Sequence, residues 1–282
     1  MLNFVRNCNI YQMEVGCECR QFVLEIRDFL SINSIGFKMD GYSFFLTGFS
    51  LSILPLPLGR KIEELGDVEN GTVNVGRIVI HEDLWIRKGE LIRNRLLARF
   101  GKGEVLFARK CSVREIDTIA ARDFLEENHL LGYSRAKYKY GLFNRDTLVA
   151  VATFSASRPM MREQGLVDSY EWVRYASSGP LRITGGMGKL LNYFVKREQP
   201  QEVMSYADAE WSEGGAYLSL GFGIAGKTPP VEFHVDKISY ERFPMKKLLK
   251  DKKYRNQELD EEFAVLLFNA GNFKFIRSFS LL

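Results

Sequence analysis

The sequence predicts an α/β fold, a mixed sheet flanked by helices, and three observations carry that expectation. Apolar residues recur at helical spacing in some stretches and alternate with polar ones in others, and the two patterns succeed one another along the chain. Gly, Pro and an Asn144-Arg145-Asp146 cluster fall between them, where turns are needed. A glycine-rich turn, Gly185, Gly186 and Gly188, joins a strand-like stretch to a helix-like one.

The elements follow in order. Residues 19–33 place Phe22, Val23, Ile26, Phe29 and Leu30 on one helical face. Residues 41–59 carry no charge and are just long enough to suggest a membrane span. Pro55, Pro57 and four Ser or Thr residues interrupt the stretch, and Tyr42, Phe44 and Leu46 alternate, so two buried strands and a proline-bounded turn are expected. Residues 60–76 read as a surface loop, 77–81 as a strand and 88–100 as a helix. Gly101, Lys102 and Gly103 mark the expected boundary between a unit at 1–103 and one at 104–245, with a basic, then apolar, tail over 246–282.

In the second unit a short strand covers 104–110, and Ser112 with Glu115 form a capping box that opens a helix to about Asn128. Strands follow at 138–143, 148–155 and 170–177. The glycine turn starts a helix over 189–197, which Pro200 stops. A strand at 203–207, a short helix at 212–220 ended by Gly221 and a strand at 231–236 complete the unit.

Composition excludes several classes. The 282 residues are 46% hydrophobic, 26% charged and 13% aromatic, which is neither a disordered polymer nor a collagen-like or disulfide-stapled chain. A net charge of +4 permits nucleic-acid contact without requiring it. Cys17 and Cys19 are too close for a zinc knuckle, and His81, His129 and His234 are scattered, so reduced thiols and no metal are expected. The first twenty residues lack a signal-peptide pattern, which predicts a cytoplasmic protein with no membrane segment.

The chemistry concentrates between 170 and 236. A glycine turn at a helix start offers free N–H groups and the positive end of the helix dipole to a phosphate. Gly185, Gly186 and Gly188 allow close approach, and Lys189 adds a charge; a tight structural turn is the competing explanation.

The order of elements over 104–236, with Tyr217, Gly221 and Phe222 in a Tyr-x-x-x-Gly-Phe pattern, resembles the GNAT acyltransferase superfamily. Ile183 stands where that family commonly has Arg or Gln. Longer strings, including Asn128-His129-Leu130-Leu131-Gly132, Glu171-Trp172-Val173-Arg174-Tyr175 and Ser205-Tyr206-Ala207-Asp208, resemble the carboxy-terminal domain of phage homing-endonuclease-like proteins. That domain is similar to adenine-modifying, Mom-type proteins. His81-Glu82-Asp83-Leu84-Trp85 resembles a segment of very-short-patch repair endonucleases, and Asp40 matches their first metal-binding Asp. The following acidic position falls in 50–55, which has no carboxylate, so residues 1–103 are expected to be a degenerate, non-cleaving nuclease-like α/β domain.

The resemblance implies an acyltransferase-like enzyme using acetyl-CoA or another acyl-CoA, a phosphate-bearing donor held at Gly185 to Lys189. Glu171 or Asp208 would take the acceptor proton and Tyr217 would protonate the leaving group. His129, Arg158, Arg174, Tyr206 and Trp211 are candidate substrate contacts. Each has a plainer alternative: an ion pair for Glu171, Arg158 and Arg174, a turn cap for Asp208, core packing for Tyr217, a helix end for His129. The basic run at 246–255 would track a DNA or RNA backbone or form a solvated tail. The second function class is a non-catalytic nucleic-acid-binding protein. Oligomeric state is open.

Overall fold

The computed structural model describes residues 17–61, 76–163, 165–248 and 264–279. Helix α1 (Cys17–Ile32) and strands β1 (Phe37–Asp40), β2 (Ser43–Leu46), β3 (Leu51–Leu56) and β4 (Gly76–His81) precede helix α2 (Glu82–Arg99). The sheet runs β1-β2-β3-β4, antiparallel except for the parallel β3/β4 pair. The expected helical face of α1 is buried: Phe22, Ile26 and Leu30 pack with Phe44, Ile53, Ile78 and Trp85. Leu54, Leu56 and Val79 bury the opposite face, so the uncharged stretch is apolar because β3 is covered on both sides.

Two expectations are corrected here. Pro55 lies inside β3 rather than in a turn; the β2 ladder ends at Ile53, so the missing N–H breaks no bond to that neighbour. The helix expected at 88 starts at Glu82, and position 88 is where Lys88 departs from helical geometry (φ −128°, ψ 25°).

The second body is built on a larger mixed sheet. Strand β5 (Val105–Phe107) leads to β6 (Ser112–Glu115), α3 (Thr118–Asn128), β7 (Tyr138–Asn144), β8 (Thr147–Phe154), β9 (Arg158–Arg162) and β10 (Gly165–Ser177). Then come β11 (Arg182–Thr184), α4 (Gly186–Glu198), β12 (Glu202–Asp208), α5 (Gly215–Ser219) and β13 (Gly223–Lys227). Strands β14 (Glu232–Asp236) and β15 (Arg242–Pro244), helix α6 (Met245–Leu248), and strands β16 (Ala264–Phe268) and β17 (Asn272–Ser278) follow. The sheet order is β13-β17-β12-β10-β8-β7-β6, with β9 paired to β10 and only β10/β12 parallel. Helix α4 makes that parallel crossover and lays Leu190, Leu191 and Phe194 on one face, with Phe194 stacked on Phe154 at 4.0 Å. Helix α3 covers the other face through Ala121, Phe124 and Leu125. This is the α/β architecture expected, a mixed sheet flanked by helices, with the order strand, glycine turn, helix and parallel strand.

The capping box at Ser112 does not open a helix. Residues 112–115 pair with β7, and Asp117 caps α3 instead, accepting a bond from the Ala120 N–H at 2.8 Å. Long-range pairing outweighs the local signal. Residues 264–268 and 272–278 form strands: β17 lies between β12 and β13, and β16 pairs with β14.

The two bodies are interlocked by buried polar groups. The His81 ring nitrogen Nε2 meets Glu210 at 2.9 Å, and the Val79 N–H donates to the Glu210 carbonyl at 2.9 Å. Trp211, next in sequence, joins the amino-terminal core.

Candidate active site at the diverging strands

Strands β10 and β12 pair from Ser169↔Glu202 to Trp172↔Ser205 and then part. A bulge in the β10/β8 register between Trp172 and Arg174 re-aims the side chains beyond it. Functional groups collect at the carboxyl ends of such strands, where the fold cannot satisfy both main chains.

The gap just past the last pair is filled. The Tyr217 hydroxyl and Ser205 Oγ are 2.9 Å apart, and Ser205 Oγ donates to the Trp172 carbonyl at 3.0 Å. Since Ser205 has one proton to give, Tyr217 is the donor in the first bond. The Tyr217 ring stacks on Phe275 at 5.0 Å and meets Trp172 edge-on at 5.9 Å. Burial raises its pKa, so Tyr217 keeps its proton.

One residue past β11, Gly185 caps α4 with φ 79°, a left-handed conformation that glycine adopts freely. A Cβ at Gly186 would come within 2.8 Å of Ile183 and 3.0 Å of the Tyr175 hydroxyl, so packing requires glycine there. The first backbone bond of α4 runs from the Lys189 N–H to the Gly185 carbonyl at 3.0 Å. The amides of Gly186, Met187 and Gly188 therefore lack intrahelical acceptors. Gly185 and Gly188 open on a groove of about 680 Å³ that also touches Arg109, Tyr193 and Lys196. Lys189 turns its ammonium to the carbonyls of Ala108, at 3.0 Å, and Cys111, which ties the turn to the segment after β5.

His129 ends α3 at the edge of a cavity of about 1060 Å³ lined by α2, the end of α3 and the end of β10. Its Nδ1 accepts from the Leu131 N–H at 3.1 Å. Burial, followed by the charges of Arg174, Arg95 and Lys88, lowers its pKa to about 3, so the ring is neutral at pH 7 with its proton on Nε2. Arg95 lines the same cavity, lies over Trp211 at 4.4 Å and feels Asp208 as its main compensating charge. Arg95 keeps solvent-exposed area, while the protein packed around its guanidinium lowers its pKa.

Asp208 has a raised pKa because it is buried and close to Glu210; it also accepts from the Glu210 N–H at 2.9 Å, as a turn cap does. Glu171 sits level with Met204, four residues before Asp208, or about 13 Å along the strand. The two carboxylates do not converge. Glu171 belongs with Arg174 and Tyr206, whose ionisation it influences. Arg174 donates to the carbonyls of Gly132 at 3.2 Å and Val173 at 2.8 Å. Arg158 is exposed on β9, level with Ser169 and outside this group. Most of the basic run at 246–255 lies outside the described residues.

Arg95 was absent from the sequence-derived site because its signal is that of a surface position on an ordinary helix. Among the described residues no three His, Cys, Asp or Glu side chains converge on a metal position, and no helix is long and apolar enough to cross a membrane.

No known protein family matches the chain, and no curated protein matches it. Solved structures do show similarity. An IAA acetyltransferase from Bacillus cereus is 12% identical, covers 60% of this chain and 99% of its own, and has a TM-score of 0.32. A GNAT family acetyltransferase from Elizabethkingia anophelis with acetyl-CoA bound is 10% identical over 60% and 99%, with a TM-score of 0.34. The ribosomal-protein-S18-alanine N-acetyltransferase from Escherichia coli is 12% identical over 61% and 96%, with a TM-score of 0.36.

Proposed function

We propose that this protein is a GNAT-like group transferase acting on an amine, with an amino group of a nucleic-acid base as the leading acceptor. One observation carries the proposal: Arg95 and His129 line a cavity large enough for a small-molecule acceptor, with the charge of Arg174 acting on His129 and that of Arg95 on Asp208. Perturbed ionisable groups in a cleft at that position suit proton transfer. Asp208, its pKa raised, is the proton acceptor rather than the distant Glu171. Tyr217, which holds its proton, is the donor.

The residues fit part of an acyl-CoA donor. The free amides of Gly186 to Gly188, with Arg109 and Lys196 across the groove, suit its phosphates. The strand gap beyond them is closed by Tyr217 and Ser205, so an acyl end would enter only where that pair parts. That closure favours a second function, a non-catalytic nucleic-acid-binding protein of phage homing-endonuclease-like ancestry. Engagement of His81 by Glu210 and of Asp83 by Arg242 supports a non-cleaving amino-terminal unit in either case.

Thermal unfolding with acetyl-CoA and with short DNA separates the two. A ligand at a hundred times its dissociation constant stabilises the folded state by about 2.7 kcal/mol. Stabilisation by the CoA compound, with transfer to an amine that Asp208→Asn abolishes, is the expected result. A shift with DNA alone overturns the transferase proposal.

A further inference from the structure

The sheet edges of this protein are protected unevenly. An edge strand shows a row of unpaired N–H and C=O groups, and proteins blunt such rows with charge, proline, bulges or a covering segment. Strand β1 carries Lys38 and Asp40, β6 carries Arg114 and Glu115, and β9 and β15 contain Pro159 and Pro244 together with arginine. A bulge between Ile224 and Gly226 distorts β13, and the Glu210 carbonyl accepts the Val79 N–H of β4. Strands β5 and β11 are only three residues each. Strand β16 has none of these devices. It reads Ala264-Val265-Leu266-Leu267-Phe268, without charge, Pro, Gly or bulge, and among the described residues it pairs on one side alone, with β14. Leu267 is buried, while Leu266 and Phe268 are each 47% exposed.

We infer that β16 pairs, antiparallel and edge to edge, with β16 of a second copy of this chain, joining two three-stranded sheets into one. Two antiparallel copies of one strand are related by a two-fold axis, so the ladder is its own complement and closes as a dimer. The side chains fit that axis. Centred on Leu266, the pairing sets Leu266 against the partner's Leu266, Ala264 against the partner's Phe268 and Val265 against the partner's Leu267. The bulkiest residue of the strand then meets the smallest, and no charge meets a like charge. Val265 and Leu267 lie level with Val235 and Phe233 of β14, so the apolar layer beneath the sheet runs on across the axis. Five residues make a small interface, and such a dimer dissociates on dilution. No residue of β16 lines the groove at α4 or the cavity beside His129, so this pairing and the proposed transfer fail separately.

The test is analytical ultracentrifugation of the full chain over a range of concentrations. The parent is expected to pass from monomer to dimer as concentration rises. Leu266→Lys sets two ammonium groups face to face at the axis and is expected to weaken the dimer by about tenfold or more. Leu266→Glu is expected to do the same, and an equimolar mixture of the two variants to regain the dimer, because lysine then faces glutamate. Lost apolar area alone is not repaired by mixing, and regain also shows that both variants are folded. Ile238→Lys, at an apolar residue 75% exposed between β14 and β15, is expected to keep the parent's dimer. A parent that stays monomeric throughout, a dimer that Leu266→Lys leaves intact or that Ile238→Lys weakens equally, or a mixture that stays monomeric overturns the inference.

Discussion

Asp83 and Arg242, 159 positions apart, meet through two hydrogen bonds of 2.8 and 2.7 Å, and the Asp83 carboxylate is wholly enclosed. The pair joins the start of α2 to β15, and Phe233 lies against the guanidinium at 4.9 Å. A carboxylate in the segment that resembles a repair endonuclease in sequence is a structural anchor in space.

Removing one partner leaves a buried charge. Asp83→Ala is expected to cost about 3–5 kcal/mol of stability, and Asp83→Leu combined with Arg242→Met to recover much of it. Urea unfolding of the two variants checks this. A loss below about 1 kcal/mol, typical of a surface pair, contradicts the anchoring role.

Arg162 and Glu202 form a second clamp. The fork grips Glu202 at 2.8 and 2.6 Å, Ser169 adds a bond of 2.6 Å, and the Glu202 side chain is 3% exposed. The arginine bonds hold the Glu202 carboxyl below its ordinary range. Arg162→Ala is therefore expected to destabilise by about 2–3 kcal/mol, discounted because Arg162 is itself partly solvated. It is also expected to speed hydrogen exchange in the β9/β10 hairpin, read by mass spectrometry.

His129 imposes an acid limit. Unfolded, it takes up a proton near pH 6.5; folded, only near pH 3. Between those values the unfolded state binds the extra proton, so stability falls as pH drops, with a slope of up to about 1.4 kcal/mol per pH unit. His129→Gln is expected to flatten unfolding free energy across that window. An unchanged slope shows that the ring is freely solvated.

Tyr217 tests whether the filled strand gap is also reactive. Tyr217→Phe deletes one bond to Ser205 and is expected to cost about 1 kcal/mol of stability. Under the transferase proposal it lowers kcat by about a hundredfold or more, with the pH profile altered on its alkaline limb. A stability change with no kinetic change assigns the hydroxyl to packing alone.

Features with a local signal were legible in the sequence. The Phe22, Ile26 and Leu30 face of α1 and the turn at Gly185 are set by periodicity and by backbone conformation, both of which reside in neighbouring residues. Ser112 misled because a capping box is a weak preference that β7 pairing overrides. The convergence of His129 with Arg174 was not readable as such, and Arg95 not at all. Their proximity depends on how α2 packs across the end of the second sheet, and Glu210, which sets that packing, looks in sequence like any surface glutamate.

The position of β17 has a consequence for biosynthesis. A ribosome releases β12 and β13 well before residues 272–278 emerge, yet β17 is the strand that lies between those two. Until it arrives, both edges wait with unpaired amides, and Tyr217 lacks the Phe275 ring that covers it. This half of the sheet therefore closes late in synthesis. A nascent chain stalled before position 272 would present a sticky, half-built surface to chaperones and proteases.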